Sequence, residues 1–258
     1  MSRILVVGAT RGLGASLVKH YTSSSSTTVY ATARSSSGHP QDYPDNAKRL
    51  TGVDLTKRDV GDTIVKQLPN GGKALDVAII AAGYFATEDF KDGPDWDEQQ
   101  LMYTTCAIAP VFIVQRLVKA GLLASGSKVL LVSSEAGSIA LRHESEGGGN
   151  YGHHASKAAL NMAGKLLSLD LKEQGIVVSL VHPGFMRTDM TRNVGFDKYW
   201  DAGGAISPDE AAQRLGQWVE ELDMSKTGEF WAPGGAGDIG TAEAVLGSDL
   251  PKPLRLPW

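Results

Sequence analysis

Short apolar runs alternate with amphipathic stretches along the whole chain. Ile4, Leu5, Val6 and Val7 form a run that closes on Gly8. Its unbroken apolar character predicts a strand buried on both faces, as in a parallel sheet. Residues 12–21 follow, with Leu13, Leu17 and Val18 on one helical face. The alternation continues, predicting strands at 28–33, 49–53, 75–82, 128–133 and 176–181, and a last one at 229–232. Helices are expected at 58–68, at 96–121 with an interruption near Pro110, at 155–174 and at 208–222. Ser207 before Pro208 reads as an N-cap and first helical position, and Gly175 as a C-terminal cap. The polar connector 23–28, the loop 35–47 with Gly38, Pro40 and Pro44, and the turn 69–72 separate these elements. Strands joined by helical crossovers predict an α/β fold, a single-domain Rossmann fold with a doubly wound parallel sheet over residues 1–258.

Composition narrows the partners more than the fold. The chain has 258 residues, 42% of them hydrophobic, enough for a large core without covalent staples. Its net charge of −4 gives no excess of basic residues for nucleic acid or an anionic membrane. A single cysteine, Cys106, permits no intrachain disulfide, which suits a reducing compartment. No charged-then-apolar leader precedes Ile4, so no secretory signal is expected. The apolar run 106–114 is too short to cross a bilayer and contains Pro110. A cytoplasmic protein with no membrane or nucleic-acid partner is the expectation.

Candidate chemistry begins where the first strand meets the first helix, at Gly8, Ala9, Thr10, Arg11, Gly12, Leu13 and Gly14. Glycines there let the backbone turn sharply and approach a pyrophosphate, while the helix N-terminus supplies unpaired N–H groups. The spacing, glycine at positions 1, 5 and 7 of the motif, differs from the G-x-G-x-x-G of many dinucleotide folds. It resembles that of the short-chain dehydrogenase/reductase family, and the resemblance extends along the chain. Asp54-Leu55 resembles the family's adenine-facing acidic site. Ala81-Ala82-Gly83 resembles the end of its Asn-Asn-Ala-Gly segment, without the asparagines. Ser133-Ser134 with Gly137-Ser138 resembles its serine motif, and 155–161, which includes Lys157, its catalytic-lysine helix. Pro183, Gly184, Phe185 and Thr188 fall in the segment that resembles its nicotinamide-side Pro-Gly motif. The segment 227–230 and the ending Leu256-Pro257-Trp258 resemble the C-factor or sniffer-like carbonyl-reductase branch. The resemblance implies a bound nicotinamide dinucleotide held by these residues.

Charge chooses between the two forms of that cofactor. Arg34 stands about 20 residues beyond the glycine loop, where a carboxylate would bind the ribose 2′-hydroxyl of NAD. A guanidinium instead pairs with a 2′-phosphate, and Arg11 adds a second positive charge. NADP(H) is expected.

The catalytic residues that the resemblance implies are only partly present. Lys157 is retained, and Ser134 matches the serine that steadies the substrate oxygen. Four residues before Lys157, where the family's proton-donating tyrosine belongs, stands His153. Spacing i, i+4 places both on one helix face, whereas Tyr151 is off that face and is not promoted to the acid. The family's relay asparagine is replaced by Cys106. An imidazole beside Lys157 is expected to stay neutral. It then either polarises a carbonyl through one N–H or merely fills the space. His143, His154 and His182 invite a metal reading, but no ligand spacing supports one.

Residues 190–206 are expected to cover the substrate, with Gly195, Gly203 and Gly204 as hinges. Tyr84, Cys106, Phe185, Phe196, Tyr199 and Trp200 are the candidate substrate contacts, with Phe85, Trp96 and Trp231 as further apolar surface. Together these features predict an NADP(H)-dependent reductase of a carbonyl or imine in a hydrophobic small molecule, in a chain that can pair as a homodimer or homotetramer. Two alternatives stay open: a scaffold turned to non-redox isomerisation, dehydration or cyclisation with NADP(H) bound, and a cofactor-binding regulator without catalysis.

Overall fold

The computed structural model describes residues 2–35, 44–69 and 73–258. Gly38, Pro40 and residues 70–72 of the expected loop and turn lie outside the described residues. In chain order the regular elements are β1 (Ser2–Val7), α1 (Gly12–Thr22), β2 (Thr27–Thr32), β3 (Ala47–Leu50), α2 (Val60–Gln67), β4 (Val77–Ile80), α3 (Trp96–Tyr103), α4 (Ala109–Lys119) and β5 (Lys128–Val132). They continue as α5 (Tyr151–Leu171), β6 (Val177–Val181), α6 (Asp189–Asn193), α7 (Pro208–Glu221), β7 (Phe230–Ala232), α8 (Ala242–Leu246) and β8 (Leu254–Arg255). The strands form one eight-stranded sheet in the order β3-β2-β1-β4-β5-β6-β7-β8. β1 and β4 run parallel, but successive strands are added on opposite sides of this pair, so a crevice opens at the carboxyl ends of these two strands.

The core lies on both faces of this sheet. Leu5 and Val7 of β1 point to the face covered by α2, α4 and α5, where they meet Ile64, Ile113 and Leu160. Ile4 and Val6 point to the opposite face, toward Leu13, Leu17, Leu215 and Trp218 of α1 and α7. A strand that is apolar at every position is thus still divided by its period of two between two helical layers.

The doubly wound, mostly parallel sheet is as expected, with β8 pairing antiparallel to β7 at its edge. Three expectations are corrected. The strand at β7 is not the last. The short segment 254–255 escaped notice because two ladder residues carry no hydrophobic period. The long helix starts at Tyr151 and not near residue 155. Asn150 takes the left-handed conformation at φ 50°, and the Glu88 carboxylate accepts the Gly152 N–H at 2.6 Å, so the cap comes from a distant loop. The helical run 96–119 does not break near Pro110 but widens to a π-turn at Thr104–Ile108, just before Ala109 and Pro110. This continuous helical stretch, Trp96–Lys119, has the length and hydropathy to cross a membrane, contrary to the expectation from the shorter run 106–114. In the fold it carries Met102, Cys106, Ile113 and Leu117 into the core at no more than 1% exposure. The remaining boundaries agree within a few residues, and Ser207 caps α7 by accepting the Glu210 N–H.

Candidate active site

The crevice floor is made of main chain. β1 ends at Val7, and the next residue, Gly8, has a φ of 87°, a left-handed conformation open to glycine. A Cβ there would lie 2.6 Å from Ala82 Cα, so Ala81-Ala82-Gly83 after β4 can approach β1 only because Gly8 is bare. Gly8 N–H donates to Thr32 Oγ1 at 3.0 Å. A Cβ on Gly14 would overlap the Gly8 carbonyl oxygen. Both glycines therefore serve close packing of strand, loop and helix. Gly12, at φ 52°, faces across the crevice, and a Cβ on it would stand 3.5 Å from Thr188 Cγ2. Leu13 is buried against the core, while Arg11 is exposed at the start of α1, with no side-chain cap on the helix and no acidic residue in its first turn. Thr10 is half-buried in the same loop.

Arg34 and Asp54 line the mouth beside β2 and β3. Burial pushes the Asp54 carboxyl up. The Thr56 N–H and hydroxyl, at 2.9 and 2.8 Å, together with Lys57 and Arg34, more than offset this and hold it below its ordinary value. Arg34 itself is exposed. Leu55 turns inward into the core.

On the other side the crevice is made of side chains. Lys157 is 7% exposed, and its Nζ donates to the Val132 carbonyl at 2.9 Å. A Cβ built on Gly83 would meet Lys157 Nζ and Cys106 Sγ, each at 3.8 Å, so these two side chains converge beside the end of β4. Cys106 Sγ is held by the Tyr84 main chain, accepting its N–H at 3.5 Å and donating to its carbonyl at 3.6 Å. Ser134 Oγ accepts the Ala136 N–H at 3.2 Å, which leaves the hydroxyl hydrogen free of that bond. The following turn, Glu135–Gly137, presses on α5 so closely that a Cβ on Gly137 would lie 2.8 Å from Lys157 Cβ. Ser133 donates to Asn161 Oδ1 at 2.6 Å, and Asn161 Nδ2 donates to the Gly137 carbonyl at 3.2 Å, pinning that turn.

His153 occupies the helix face one turn before Lys157. Its ring stacks on Phe85, centroids 4.1 Å apart, and meets His154 edge-on at 5.4 Å. Its Nδ1 is buried with no hydrogen-bond partner among the described residues. Burial, then Lys157, His154 and Arg142, push its pKa down to about 3. The ring is neutral at working pH, as the sequence led one to expect.

The expected covering loop is more ordered than a loop. Thr188 caps α6 through Thr191, and a tight turn follows at Asp197–Tyr199. Its feet are tied together, since Ile206 N–H donates to Phe185 O and Arg187 N–H to Ile206 O, both at 2.9 Å. Phe196 reaches Phe85 edge-on at 5.6 Å and Tyr199 at 6.1 Å, so an aromatic chain runs from His153 to this segment. Trp200 Nε1 donates to Thr191 Oγ1 at 3.2 Å, and Arg187 and Arg192 lie over its ring, so it braces the segment. The Phe185 ring packs under Gly203. Tyr84 directs its hydroxyl to Glu98, which raises its pKa.

Glu88 and Asp238 had no flag in the sequence, and Asn161 was read only as the end of the lysine-helix motif. Glu88 caps α5 and accepts from Gln99 Nε2 at 2.9 Å. Asn161 pins the serine turn, and Asp238 pairs with His182. Their partners lie 11 to 64 residues away, and no local pattern encodes such a distance. Among the described residues no three of His, Cys, Asp and Glu gather as a metal would require.

Comparison with known proteins agrees with this architecture. Residues 2–198 match the short chain dehydrogenase family. An uncharacterised oxidoreductase of Saccharomyces cerevisiae is 31% identical over 242 residues, covering 88% of this chain and 93% of that protein. The 1-hydroxy-2-glutathionyl-2-methyl-3-butene dehydrogenase of a Rhodococcus species is 27% identical, covering 89% and 96%. Among solved structures, a carbonyl reductase from Pseudomonas aeruginosa superposes with TM-score 0.75 at 25% identity over the full length of both chains. The Drosophila melanogaster carbonyl reductase Sniffer does so with TM-score 0.77 at 22% identity, again over both full chains. The glycine loop, the lysine helix and this match over residues 2–198 place the chain in the short chain dehydrogenase family.

Proposed function

We propose that the protein is an NADP(H)-dependent reductase acting on a carbonyl or imine of a hydrophobic small molecule, with His153 standing where the family's proton donor belongs. The observation that carries this reading is the convergence at Gly83 of a buried Lys157 Nζ and Cys106, with His153 one helical turn away. The crevice suits a dinucleotide. Gly12 is bare where it faces Thr188, and α1 begins without a side-chain cap or an acidic residue. Gly8, Thr10, Arg11, Gly12, Leu13 and Gly14 would hold the pyrophosphate. Asp54 and Leu55 would border the adenine, with Arg34 at the 2′-phosphate. Ala81, Ala82, Gly83, Lys157, Pro183, Gly184, Phe185 and Thr188 would border the nicotinamide half. NADPH-bound relatives of the fold, such as a carbonyl reductase from chicken fatty liver with TM-score 0.76, support the choice.

The cofactor, when bound, supplies hydride. The chain's own residues then decide what happens to charge at the substrate. A carbonyl that receives hydride becomes an oxyanion and needs a proton, whereas an iminium carbon becomes a neutral amine and needs none. Ser134 offers its hydroxyl hydrogen to such an oxygen. A neutral His153 offers one N–H, enough to polarise the acceptor but a weak source of a whole proton. Phe85 and Phe196 border His153 with apolar rings, and the more exposed Tyr199 extends this edge toward solvent.

Purified protein is expected to oxidise NADPH with members of a panel of aromatic ketones, aldehydes and cyclic iminium ions. His153→Tyr is expected to raise ketone reduction by roughly 10²-fold, the usual worth of a placed general acid, and to leave iminium reduction nearly unchanged. No oxidation across the panel by either protein would overturn the reading. A second reading rests on the unpartnered Nδ1 of His153, which suits an acid or base for non-redox chemistry. Product formed equally with NADPH and NADP+ would support that reading instead.

A further inference from the structure

His182 and Asp238 form a pair that the chemistry above does not use. Their side chains are 7% and 11% exposed, and His182 Nε2 lies 2.8 Å from Asp238 Oδ2. The same oxygen accepts the Phe185 N–H. On the far edge of the ring, Nδ1 accepts the Glu135 N–H at 3.1 Å. Three segments distant in the chain are thereby joined: the serine turn after β5, the Pro-Gly segment after β6, and the glycine-rich stretch between β7 and α8.

The bonding pattern dictates the tautomer. A ring nitrogen that accepts a backbone N–H carries a lone pair, so the proton of neutral His182 sits on Nε2 and points at Asp238. Burial pushes the His182 pKa down, but the hydrogen bond and charge of Asp238, with Glu135 beyond, more than offset this and raise it. A proton on Nδ1 would set that N–H against the Glu135 N–H, donor against donor. Glu135 also pairs with Arg142, which pairs in turn with Glu146, so the serine turn is anchored on both sides.

We propose that Asp238 and His182 are positioning residues for the nicotinamide end of the crevice. Asp238 holds the Phe185 main chain and fixes the His182 tautomer, and His182 holds the Glu135 amide and so the adjoining Ser134. The assignment rests on the NADP(H) reading above.

The test compares the full chain with Asp238→Asn and Asp238→Ala. NADPH and adenosine 2′,5′-bisphosphate are titrated by calorimetry. The second ligand carries the phosphorylated adenosine but no nicotinamide. The His182 tautomer is read from ring 15N shifts. In Asp238→Ala both bonds of the carboxylate vanish, and NADPH is expected to bind about tenfold more weakly, the worth of one hydrogen bond to a charged group. The bisphosphate is expected to bind as before. In Asp238→Asn the amide oxygen can take the place of Oδ2 and accept from both Phe185 N–H and His182 Nε2–H. The His182 proton is then expected to stay on Nε2, with NADPH affinity largely kept. Equal losses of both ligands in Asp238→Ala, or a His182 proton on Nδ1 in Asp238→Asn, would overturn the assignment alone. Wild-type protein that binds neither ligand would overturn the cofactor reading and this assignment with it.

Discussion

Around β1 and α1 the crevice is lined by main chain, whereas around α5 and residues 188–206 it is lined by side chains. The first region depends on what is absent: a Cβ on Gly8 would strike Ala82, and one on Gly14 would strike the Gly8 carbonyl. The second depends on what is present: Lys157 on the Val132 carbonyl, His153 stacked on Phe85, Cys106 held by Tyr84. A bare backbone binds what every dinucleotide shares, its phosphates, through N–H groups that any sequence would carry. Side chains select the reacting molecule, and they can change without disturbing the fold. His153 and Cys106, proposed above to stand at the family's tyrosine and asparagine positions, both fall in the second region. On that proposal a reaction can drift while the backbone that would hold the cofactor is kept.

Perturbing the first region should have the largest effect. Gly14→Val places branched carbon where the Gly8 carbonyl stands. It is expected to cost about 3 kcal/mol or more in urea unfolding, at the upper end of overpacking, and to abolish NADPH binding by calorimetry. Normal stability with normal binding would show that the loop does not need to be bare. At the mouth of the same region, Arg34→Asp replaces the proposed 2′-phosphate partner by a repelling carboxylate. NADPH affinity is expected to fall roughly 10- to 100-fold while NADH affinity changes little. Equal losses by titration would remove Arg34 from the choice of cofactor.

The second region is tested through pH. The folded pKa of His153 is pushed from 6.5 to about 3, so between these values the unfolded chain binds more protons there. Stability from this group is fully present above pH 6.5 and is lost as pH falls, by up to about 1.4 kcal/mol per pH unit. His154 is lowered in the same direction by burial and Arg142, whereas His182 is raised and opposes them. His153→Phe keeps the stack on Phe85 and is expected to flatten the stability profile between pH 6.5 and 4 in urea titrations. An unaltered profile would show that the imidazole is solvated and does not carry the neutral character assigned to it.

What could be read along the chain was whatever repeats or lies close together. β1, with its apolar run ending on Gly8, the amphipathic α1, and the cap Ser207 before Pro208 each announce themselves within one turn or one strand. His153 and Lys157 are four apart, so a helix alone puts them on one face. The start of α5 was misplaced because its cap, Glu88, arrives 64 residues before Gly152. β8 was missed because its partner β7 makes it a strand. Trp200 was read only as a candidate substrate contact; that Arg187 and Arg192 lie over its ring follows from the fold alone.

The amino-acid order by itself determined the Rossmann plan, the glycine turn and the spacing of His153 to Lys157, because these follow from local period and backbone sterics. Only the tertiary structure decided that Cys106 meets Lys157 at Gly83, that Phe85 covers His153, and that Asp238 governs His182. These are contacts between side chains brought together by sheet order, and their energies arise from burial and from partners that no neighbour in the chain supplies.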